Sequence, residues 1–380
     1  MNTYHAVKNL IEQTLQNLGI TEASFNVEHP ADISHGDYAT NAAMVCAKQL
    51  GKSPREVAEM IVVELEKIGT DLTVTIAGPG FINITLDKSG FTQLHNHITG
   101  TSETFGNSDI HAGKTILVEH SSPNLFKPFH IGHLMNNTIG ESLTRMMHAS
   151  GASVFTMTFP SDISLGIAKA ISILLEKYPD GNILDPSIAV LGNAYVEGTQ
   201  RYESDETIHG HVKQIADNLF GNVPSPELDL YNICKEININ YFKSIMDKLD
   251  SRFDSFVYES QAGVTGFDIV KKYTPSIFTE SQGAIVYVPD ESKKHLNTAV
   301  FINSQGNPTY EAKDIGLLSI KFQQYHPDIS LFVTDHEQIP HFQIVLDAAE
   351  QIDKTWSDNS RHIAHGRMTF NGQKMSSRLG

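Results

Sequence analysis

Two histidines are the residues whose chemistry is most suggestive in this sequence. His130 and His133 lie three residues apart around Gly132, and Lys127 precedes them in the same polar segment. Imidazole and ammonium groups donate hydrogen bonds to phosphate oxygens, and a glycine lets a flat ligand approach the backbone. The pattern therefore favours a phosphate or nucleotide site, with a zinc-binding pair or two ordinary surface histidines as the alternatives.

A second set of phosphate-binding groups lies near the C-terminal end of the sequence. Residues 372–378 read Gly-Gln-Lys-Met-Ser-Ser-Arg, which brings Lys374, two serine hydroxyls and Arg378 into one short segment. Ammonium, guanidinium and hydroxyl groups all suit phosphate oxygens. Charged, serine-containing loops are usually only solvated, so this segment is informative chiefly in combination with the two histidines.

The sequence around the histidines predicts the elements that position them. Residues 115–120 are typical of a short buried strand and residues 152–159 of another. Between them, a helical pattern runs from about residue 131 to residue 150 and stops at Gly151. This order predicts a βαβ unit with parallel strands. The histidines would then lie beyond the carboxyl end of a strand and at a helix N-terminus, where open α/β sheets bind anionic ligands.

Further strands and a helical insertion are predicted downstream. Strand-like segments occupy residues 284–288, 298–302 and 329–333, and a helical pattern covers residues 339–352. Helical periodicity with many charges over residues 168–231 predicts a mostly helical insertion, and residues 262–306 are a second predicted insertion.

The first hundred residues predict a separate α+β unit. Helical patterns cover residues 1–20, from about 38 to 50, and 53–68, and two alternating runs over 74–86 predict a β-hairpin. Residues 101–113 are rich in glycine, serine and threonine without an apolar period, which favours a linker. We therefore expect an N-terminal domain over residues 1–100 and a second domain over residues 114–380.

Composition sets limits on the class of protein. The 380 residues carry 28 Lys and Arg against 44 Asp and Glu, a net charge of −16, so a nucleic-acid partner must be argued from a local site. Two cysteines, Cys46 and Cys234, cannot form a disulfide framework or a structural zinc site, which favours the cytoplasm. The sequence has no run of about 18 apolar residues and no secretion-signal pattern, so we expect no membrane partner.

The two phosphate-binding segments together resemble the paired nucleotide-binding motifs of class I aminoacyl-tRNA synthetases. The wider segments are similar to those of the arginyl-tRNA synthetase family. They are Val118–Leu134 (VEHSSPNLFKPFHIGHL), Tyr258–Gln261 (YESQ), Thr309–Gly316 (TYEAKDIG), Gly36–Ala58 (GDYATNAAMVCAKQLGKSPREVA) and Ala77–Ile84 (AGPGFINI). The resemblance covers the chain from about residue 5 to its end.

The resemblance implies both a fold and a reaction. The fold would be α/β, with a Rossmann-type parallel-sheet catalytic domain carrying a mostly helical insertion, preceded by a small α+β domain that contacts tRNA. Arginine would react with ATP to give an arginyl-adenylate, and the arginyl group would pass to the 2′-hydroxyl of the terminal adenosine of tRNA(Arg). Mg²⁺ would neutralise the β- and γ-phosphates without a protein ligand, and no protein nucleophile is expected.

The resemblance also assigns site residues. Those implied at ATP and in catalysis are Lys127, His130, Gly132, His133, Lys374, Met375, Ser376 and Ser377. Those implied at arginine are Glu119, Ser122, Asn124, His133, Glu259, Tyr310, Asp314 and Gln338. A guanidinium is planar and always charged, so carboxylates and an aromatic face suit it. Tyr310 and Asp314 are four residues apart and would share one face if their segment is helical.

Two departures from the family pattern keep alternatives open. The second motif has Arg378 near the place of a second lysine, which leaves the role of Arg378 open. The sequence also stops two residues after Arg378, where the family continues into an anticodon-binding domain, so we expect this chain to be a fragment. We also expect it to be a monomer. The alternatives are another nucleotidyltransferase with an HxGH loop, and a non-catalytic relative that binds tRNA or a protein.

Overall fold

The chain of this computed structural model divides into two units, Met1–Gly106 and Asn107–Gly380. The structure describes residues 3–68, 72–87, 92, 95–96, 98–101, 103–183, 185–293, 295–366, 369–370 and 373–374.

In the first unit, described helices share a core with a four-stranded antiparallel sheet. The helices are α1 (Thr3–Asn17), α2 (Ala42–Leu50) and α3 (Pro54–Ile68). The strands are β1 (Val27–Glu28), β2 (Tyr38–Thr40), β3 (Leu72–Ala77) and β4 (Phe81–Leu86), in the order β1-β2-β4-β3. Ile11, Ile61 and Ile84 are fully buried in this core, which joins α1, α3 and β4.

Local signals explain where α3 begins and where α2 ends. Ser53 caps α3, because Glu56 N donates to Ser53 Oγ at 3.3 Å while Ser53 N donates to Glu56 Oε2 at 2.8 Å. Gly51 follows α2 with φ of 62°, the left-handed conformation that ends a helix.

The predicted helix over residues 38–50 is wrong at its start. Tyr38–Thr40 is strand β2, buried in all three residues, with Tyr38 opposite Ile84 and Thr40 opposite Ile82 of β4. The helix begins only at Ala42. Pairing with a distant strand outweighed the local helical pattern here, as tertiary contacts often do.

The second unit is built on a parallel sheet of five strands. They are β5 (Thr115–Glu119), β6 (Ser153–Thr158), β7 (Ser255–Phe256), β11 (Ile329–Asp335) and β12 (Ser360–His365), in the order β12-β11-β5-β6-β7. All four neighbouring pairs are parallel, so their carboxyl ends share one edge of the sheet. The predicted α/β class is confirmed.

Helices connect these strands and form a helical layer after β6. α4 (Ile131–Ala149) joins β5 to β6. The layer after β6 contains α5 (Leu165–Lys177), α6 (Ile188–Ser204), α7 (His209–Phe220) and α8 (Pro226–Lys248). Their apolar faces form a core with Leu125 and Phe126, which lie in the loop after β5. The predicted helical insertion therefore also anchors the loop that precedes His130.

A small antiparallel sheet lies between β7 and β11 in the sequence. Its strands are β8 (Phe278–Ser281), β9 (Ala284–Tyr287) and β10 (Ala299–Ile302), in the order β10-β9-β8. It shares a core with α9 (Glu259–Lys272), α10 (Tyr310–Tyr325), α11 (Ile339–Ile352) and α12 (Lys354–Asp358). Two short strands, β13 (Thr369–Phe370) and β14 (Gln373–Lys374), form a hairpin.

Part of the predicted linker is bound to the second unit. Ser108 N donates to Ala149 O at 2.8 Å, and His111 N donates to Ser150 O at 2.9 Å. These bonds use carbonyl groups at the end of α4, which a helix leaves without internal partners. Among the described helices, none is long and apolar enough to cross a membrane.

Candidate active site

The loop between β5 and α4 is held in place from both sides. Ser121 N donates to Asn136 Oδ1 at 2.7 Å, and Phe126 N donates to Asn238 Oδ1 at 2.9 Å. Ser121 and Phe126 have φ of 56° and 63°, a conformation unusual for residues with side chains. Such backbone persists only where the surroundings enforce it, here two asparagines and a fully buried Phe126.

His130 and His133 cap the N-terminus of α4 reciprocally. Gly132 N donates to His130 Nδ1 at 3.1 Å, and His130 N donates to His133 Nδ1 at 3.3 Å. The two rings stack with centroids 3.9 Å apart and planes 20° apart. Both Nδ1 atoms are therefore acceptors, which leaves the proton of each neutral ring on Nε2.

The electrostatic surroundings keep both rings neutral. Burial, and then the nearby His130 and Lys127, lower the pKa of His133 to about 3. Burial and the Lys127 charge also lower the pKa of His130, although that side chain as a whole is exposed. At neutral pH each ring presents an Nε2–H donor beside a helix N-terminus. This arrangement suits phosphate oxygens.

Lys127 lies over an aromatic ring that the sequence did not indicate. Its Nζ is 4.6 Å from the centroid of Tyr195 on α6, a cation–π contact. Tyr195 in turn is close enough to Tyr310 for its hydroxyl to raise the pKa of that residue, after burial and Glu259. The helical layer thus connects the histidine loop with the start of α10. No local signal could have identified Tyr195, since the contact joins separate elements.

Glu259 is buried and paired with a lysine. Lys313 Nζ donates to Glu259 Oε2 at 2.6 Å, and both side chains are 8% exposed. Burial raises the pKa of Glu259, against the opposing effects of Lys313 and a hydrogen bond from Ser161. Glu259 therefore already has an internal cation.

Asp314 is bound by a histidine that the sequence analysis did not single out. His341 Nε2 and Asp314 Oδ2 are 2.5 Å apart, and His341 Nδ1 lies 3.6 Å from Glu311 Oε1. Burial disfavours the charged imidazole, but the bonds to Asp314 and Glu311 outweigh it and raise the pKa of His341 to about 9. His341 is therefore a cation at neutral pH.

Tyr310 is the first residue of α10 and is 60% exposed. Since its segment is helical, Tyr310 and Asp314 have the one-turn spacing that the sequence analysis required. The ring of Tyr310 lies 5.0 Å from Lys313 Nζ. Tyr310, Glu259, Lys313 and Asp314 thus form one cluster, which we call the carboxylate cluster together with Glu311 and His341.

The other residues assigned to arginine are spread along the sheet edge. Glu119 ends β5 and is buried in an ion pair with Lys321 of α10, so it too has an internal partner. Ser122 Oγ accepts a hydrogen bond from Phe159 N at 3.0 Å. Asn124 and Gln338 are exposed, in the loop after β5 and the turn after β11, respectively.

Backbone contacts bring the strand ends together. Asn124 forms an isolated parallel bridge with Ser161, in the loop after β6. Glu259 N, after β7, donates to Pro160 O at 3.2 Å, and Ser161 bonds to the Glu259 carboxylate. The histidine loop and the carboxylate cluster therefore lie at the same edge, linked through Ser161.

Asp162 is a further organising residue that the sequence analysis missed. Its fully buried carboxylate accepts hydrogen bonds from Lys235 Nζ at 2.6 Å and Tyr231 Oη at 3.1 Å. It also accepts from Ser260 N at 2.9 Å and Ser260 Oγ at 2.7 Å. Asp162 therefore fixes the residue next to Glu259. The only sequence evidence that could have identified Asp162 is its place just after a predicted strand, where the site was expected.

The second phosphate-binding segment lies mostly outside the described residues. Met375, Ser376, Ser377 and Arg378 are not described, and Lys374 is described only as backbone in β14, opposite Thr369. Within the described ranges no group of three or more His, Cys, Asp or Glu side chains is placed to hold a metal ion. The carboxylates at this edge pair with lysine or histidine, so they do not fit as magnesium ligands.

Comparison with known families gives two matches. A family model described as "tRNA synthetases class I (R), catalytic domain" matches residues 98–380. A model described as "Arginyl tRNA synthetase N terminal domain" matches residues 5–86.

Individual relatives agree with these matches. The chain is 28% identical to an arginine–tRNA ligase of Lactobacillus delbrueckii subsp. bulgaricus, over 100% of this chain and 66% of the relative. It is 29% identical to one of Oenococcus oeni, over 100% of this chain and 67% of the relative. The chain thus spans about two thirds of the length of these relatives.

Two solved structures share the fold. The arginyl-tRNA synthetase of Plasmodium falciparum superposes with a TM-score of 0.75 at 21% identity, covering 96% of this chain and 65% of that protein. The Thermus thermophilus arginyl-tRNA synthetase gives 0.71 at 21% identity, covering 99% of this chain and 67% of that protein.

Proposed function

The chain belongs to the class I tRNA synthetase (R) catalytic-domain family, and on that basis we propose that it ligates arginine to tRNA(Arg) with ATP. The observation that supports this most is the convergence at one sheet edge of a neutral histidine pair and a carboxylate–tyrosine cluster. The first suits phosphates and the second suits a guanidinium.

In the proposed first step, the carboxylate of arginine attacks the α-phosphorus of ATP and pyrophosphate leaves. His130 and His133 donate Nε2–H hydrogen bonds to phosphate oxygens, and Lys127 adds a positive charge beside them. Phosphoryl chemistry of this kind depends on positioning and charge stabilisation, so the side chains need not form a covalent bond. Gly132 lets the nucleotide approach the backbone.

For the amino acid, the proposal places the guanidinium at Glu259, Tyr310 and Asp314. Asn124, Ser122 and His133, on the histidine loop, would bind its α-amino and carboxylate groups, and Gln338 would supply a neutral acceptor. These positions are compatible with the short connections through Ser161 that join the loop to the cluster. Glu119, which forms an ion pair with Lys321, would lie close to the same α-amino and carboxylate groups.

Phosphate contacts from the second motif complete the proposed ATP site. By the family resemblance, Lys374, Met375, Ser376 and Ser377 would contact the nucleotide. Mg²⁺ would be carried by the ATP phosphates, since the carboxylates of Glu119, Glu259 and Asp314 are already paired.

In the second proposed step the arginyl group passes from the adenylate to a 2′-hydroxyl of tRNA, and AMP leaves as the acyl–phosphate bond breaks. With the proposed division into residues 1–100, a linker and residues 114–380, the family resemblance implies that the N-terminal domain would contact tRNA. We further propose a monomer in the cytoplasm, which is compatible with two buried free cysteines.

ATP–pyrophosphate exchange tests this proposal directly. Exchange that requires arginine, measured with and without tRNA, is the expected result. Calorimetric titrations with arginine, lysine and citrulline form the second arm, and only arginine should bind well. Exchange independent of arginine would favour a different nucleotidyltransferase, and tRNA binding without exchange would favour the non-catalytic relative.

A further inference from the structure

The carboxylate cluster already contains cations of its own. Glu259 pairs with Lys313 at 2.6 Å, and Asp314 pairs with His341 at 2.5 Å. A substrate guanidinium that binds these carboxylates must therefore displace an internal cation or share a carboxylate with it. Of the two, Lys313 has the contacts that most resemble those of a bound guanidinium.

Lys313 lies between a carboxylate and an aromatic ring. Its Nζ is 2.6 Å from Glu259 Oε2 and 5.0 Å from the ring centroid of Tyr310. A carboxylate on one side and an aromatic face on the other are the groups expected around a bound guanidinium. The protein's own lysine thus satisfies the site that the proposed function gives to arginine.

Glu259 cannot serve both cations well. One of its oxygens binds Lys313, and the carboxylate also accepts a hydrogen bond from Ser161. A guanidinium binds best in a fork that uses both carboxylate oxygens. Two cations on one buried carboxylate would also repel each other strongly, because the local dielectric is low.

Exchange of one cation for another keeps the charge of the cluster constant. Glu259, Glu311 and Asp314 are three carboxylates, against Lys313 and His341, which leaves one formal negative charge. If Lys313 withdraws from Glu259 when a monocationic ligand binds, that formal charge and the pairing of Glu259 are both preserved.

The structure offers Lys313 another position. A cleft of about 170 Å³ adjoins the ion pair and is lined by Lys313, Glu259, Ser260, Gly263 and Asn307, among others. Gly263 has no side chain, and a Cβ built there would lie 3.6 Å from Lys313 Cγ. Gly263 thus packs against the Lys313 stem without crowding it, and the cleft, lined by Ser260 and Asn307, gives the Lys313 side chain space to move.

We propose that Lys313 is an internal counter-ion that holds the Glu259–Tyr310 site and is exchanged for the guanidinium of the substrate. Lys313 is thus a specificity-determining residue that acts through Glu259, and arginine affinity includes the cost of displacing it. This inference rests on the proposed function, because it takes the ligand to be arginine.

Replacing Lys313 by methionine removes the competing charge with little change in volume. We expect Lys313→Met to bind arginine about tenfold more tightly than the unchanged protein in calorimetric titrations. Neutral citrulline should change by less than about twofold. A merely structural role would move both ligands together, so the arginine-to-citrulline ratio is the deciding readout.

Two control variants isolate the effect. Lys293→Met removes a lysine that pairs with Asp347 and Glu350, outside the carboxylate cluster, and should leave arginine binding unchanged. Lys313→Arg keeps the charge and should bind arginine no more tightly than the unchanged protein. If Lys313→Met does not fold, Lys313→Gln, which keeps a donor for Glu259, should show the same tightening.

The outcomes separate the two proposals. Arginine binding by the unchanged protein, with equal or weaker binding by Lys313→Met and Lys313→Gln, overturns the exchange and leaves the proposed function standing. No arginine binding by the unchanged protein overturns both. Tighter arginine binding with an unchanged citrulline affinity supports both.

Discussion

Asp314 and His341 are joined by a hydrogen bond of 2.5 Å between Oδ2 and Nε2, which connects α10 to α11. The same imidazole lies 3.6 Å from Glu311 through its other nitrogen. One ring therefore holds two carboxylates that lie about one turn apart on α10, and its charge decides whether they stay fixed.

The first prediction concerns pH. The folded-state pKa of His341 is raised to about 9 from an ordinary value of 6.5, so its contribution to stability is fully present below 6.5 and is lost as the pH rises through 9. The free energy of unfolding in urea should therefore fall from pH 6.5 to 9 more steeply in the unchanged protein than in His341→Gln.

His336→Gln is the matched control for this pH dependence. His336 is exposed and lies between β11 and α11, outside the carboxylate cluster. Its replacement should therefore preserve the pH slope of the unchanged protein. Parallel slopes for the unchanged protein and His341→Gln would show that His341 is not charged in the folded state.

The second prediction concerns the histidine pair. His133→Ala should reduce arginine-dependent ATP–pyrophosphate exchange by about 10²–10³-fold, the usual loss on removing one donor to a transition-state oxyanion. Its stability should fall by only about 1 kcal/mol, because the loss of one cap bond to His130 N is a small effect.

His148→Ala, an exposed histidine at the other end of α4, provides the comparison and should change neither quantity appreciably. If the exchange rate of His133→Ala fell only in proportion to the folded fraction of that variant, the role of His133 would be structural.

The third prediction concerns Asp314. Asp314→Asn replaces the carboxylate by a neutral amide. It should weaken arginine binding by about 2–4 kcal/mol, because the buried guanidinium would lose a counter-charge. Calorimetry with arginine measures this directly. An unaltered dissociation constant would remove Asp314 from the arginine site.

The fourth prediction concerns Asp162. Its buried carboxylate holds Lys235 at 2.6 Å and the backbone of Ser260 at 2.9 Å. Asp162→Asn would leave Lys235 without its carboxylate partner, and the free energy of unfolding should fall by about 3–5 kcal/mol. Urea denaturation gives this value.

Asp217→Asn, on the exposed surface of α7, should cost less than about 0.5 kcal/mol in the same assay. A similar small loss in Asp162→Asn would mean that the Asp162 bonds are not needed to hold the strand ends together.

The sequence by itself determined the elements around the histidines. A helical pattern, short apolar strands on either side of it and a glycine at residue 151 placed α4 between β5 and β6, and the predicted helix over residues 339–352 has those bounds in the structure. These signals are local, since caps, apolar periods and glycines act within a few residues.

Only the tertiary structure decided which charges meet. Lys313 and Glu259 are 54 residues apart, and His341 and Asp314 are 27 apart, so neither pair follows from periodicity or spacing. The same holds for Tyr38–Thr40, where pairing with β4 replaced a predicted helix. Ion pairs and strand pairs form where packed elements meet. The packing of α9 and α11 around α10 gave the acidic residues partners that the sequence could not show.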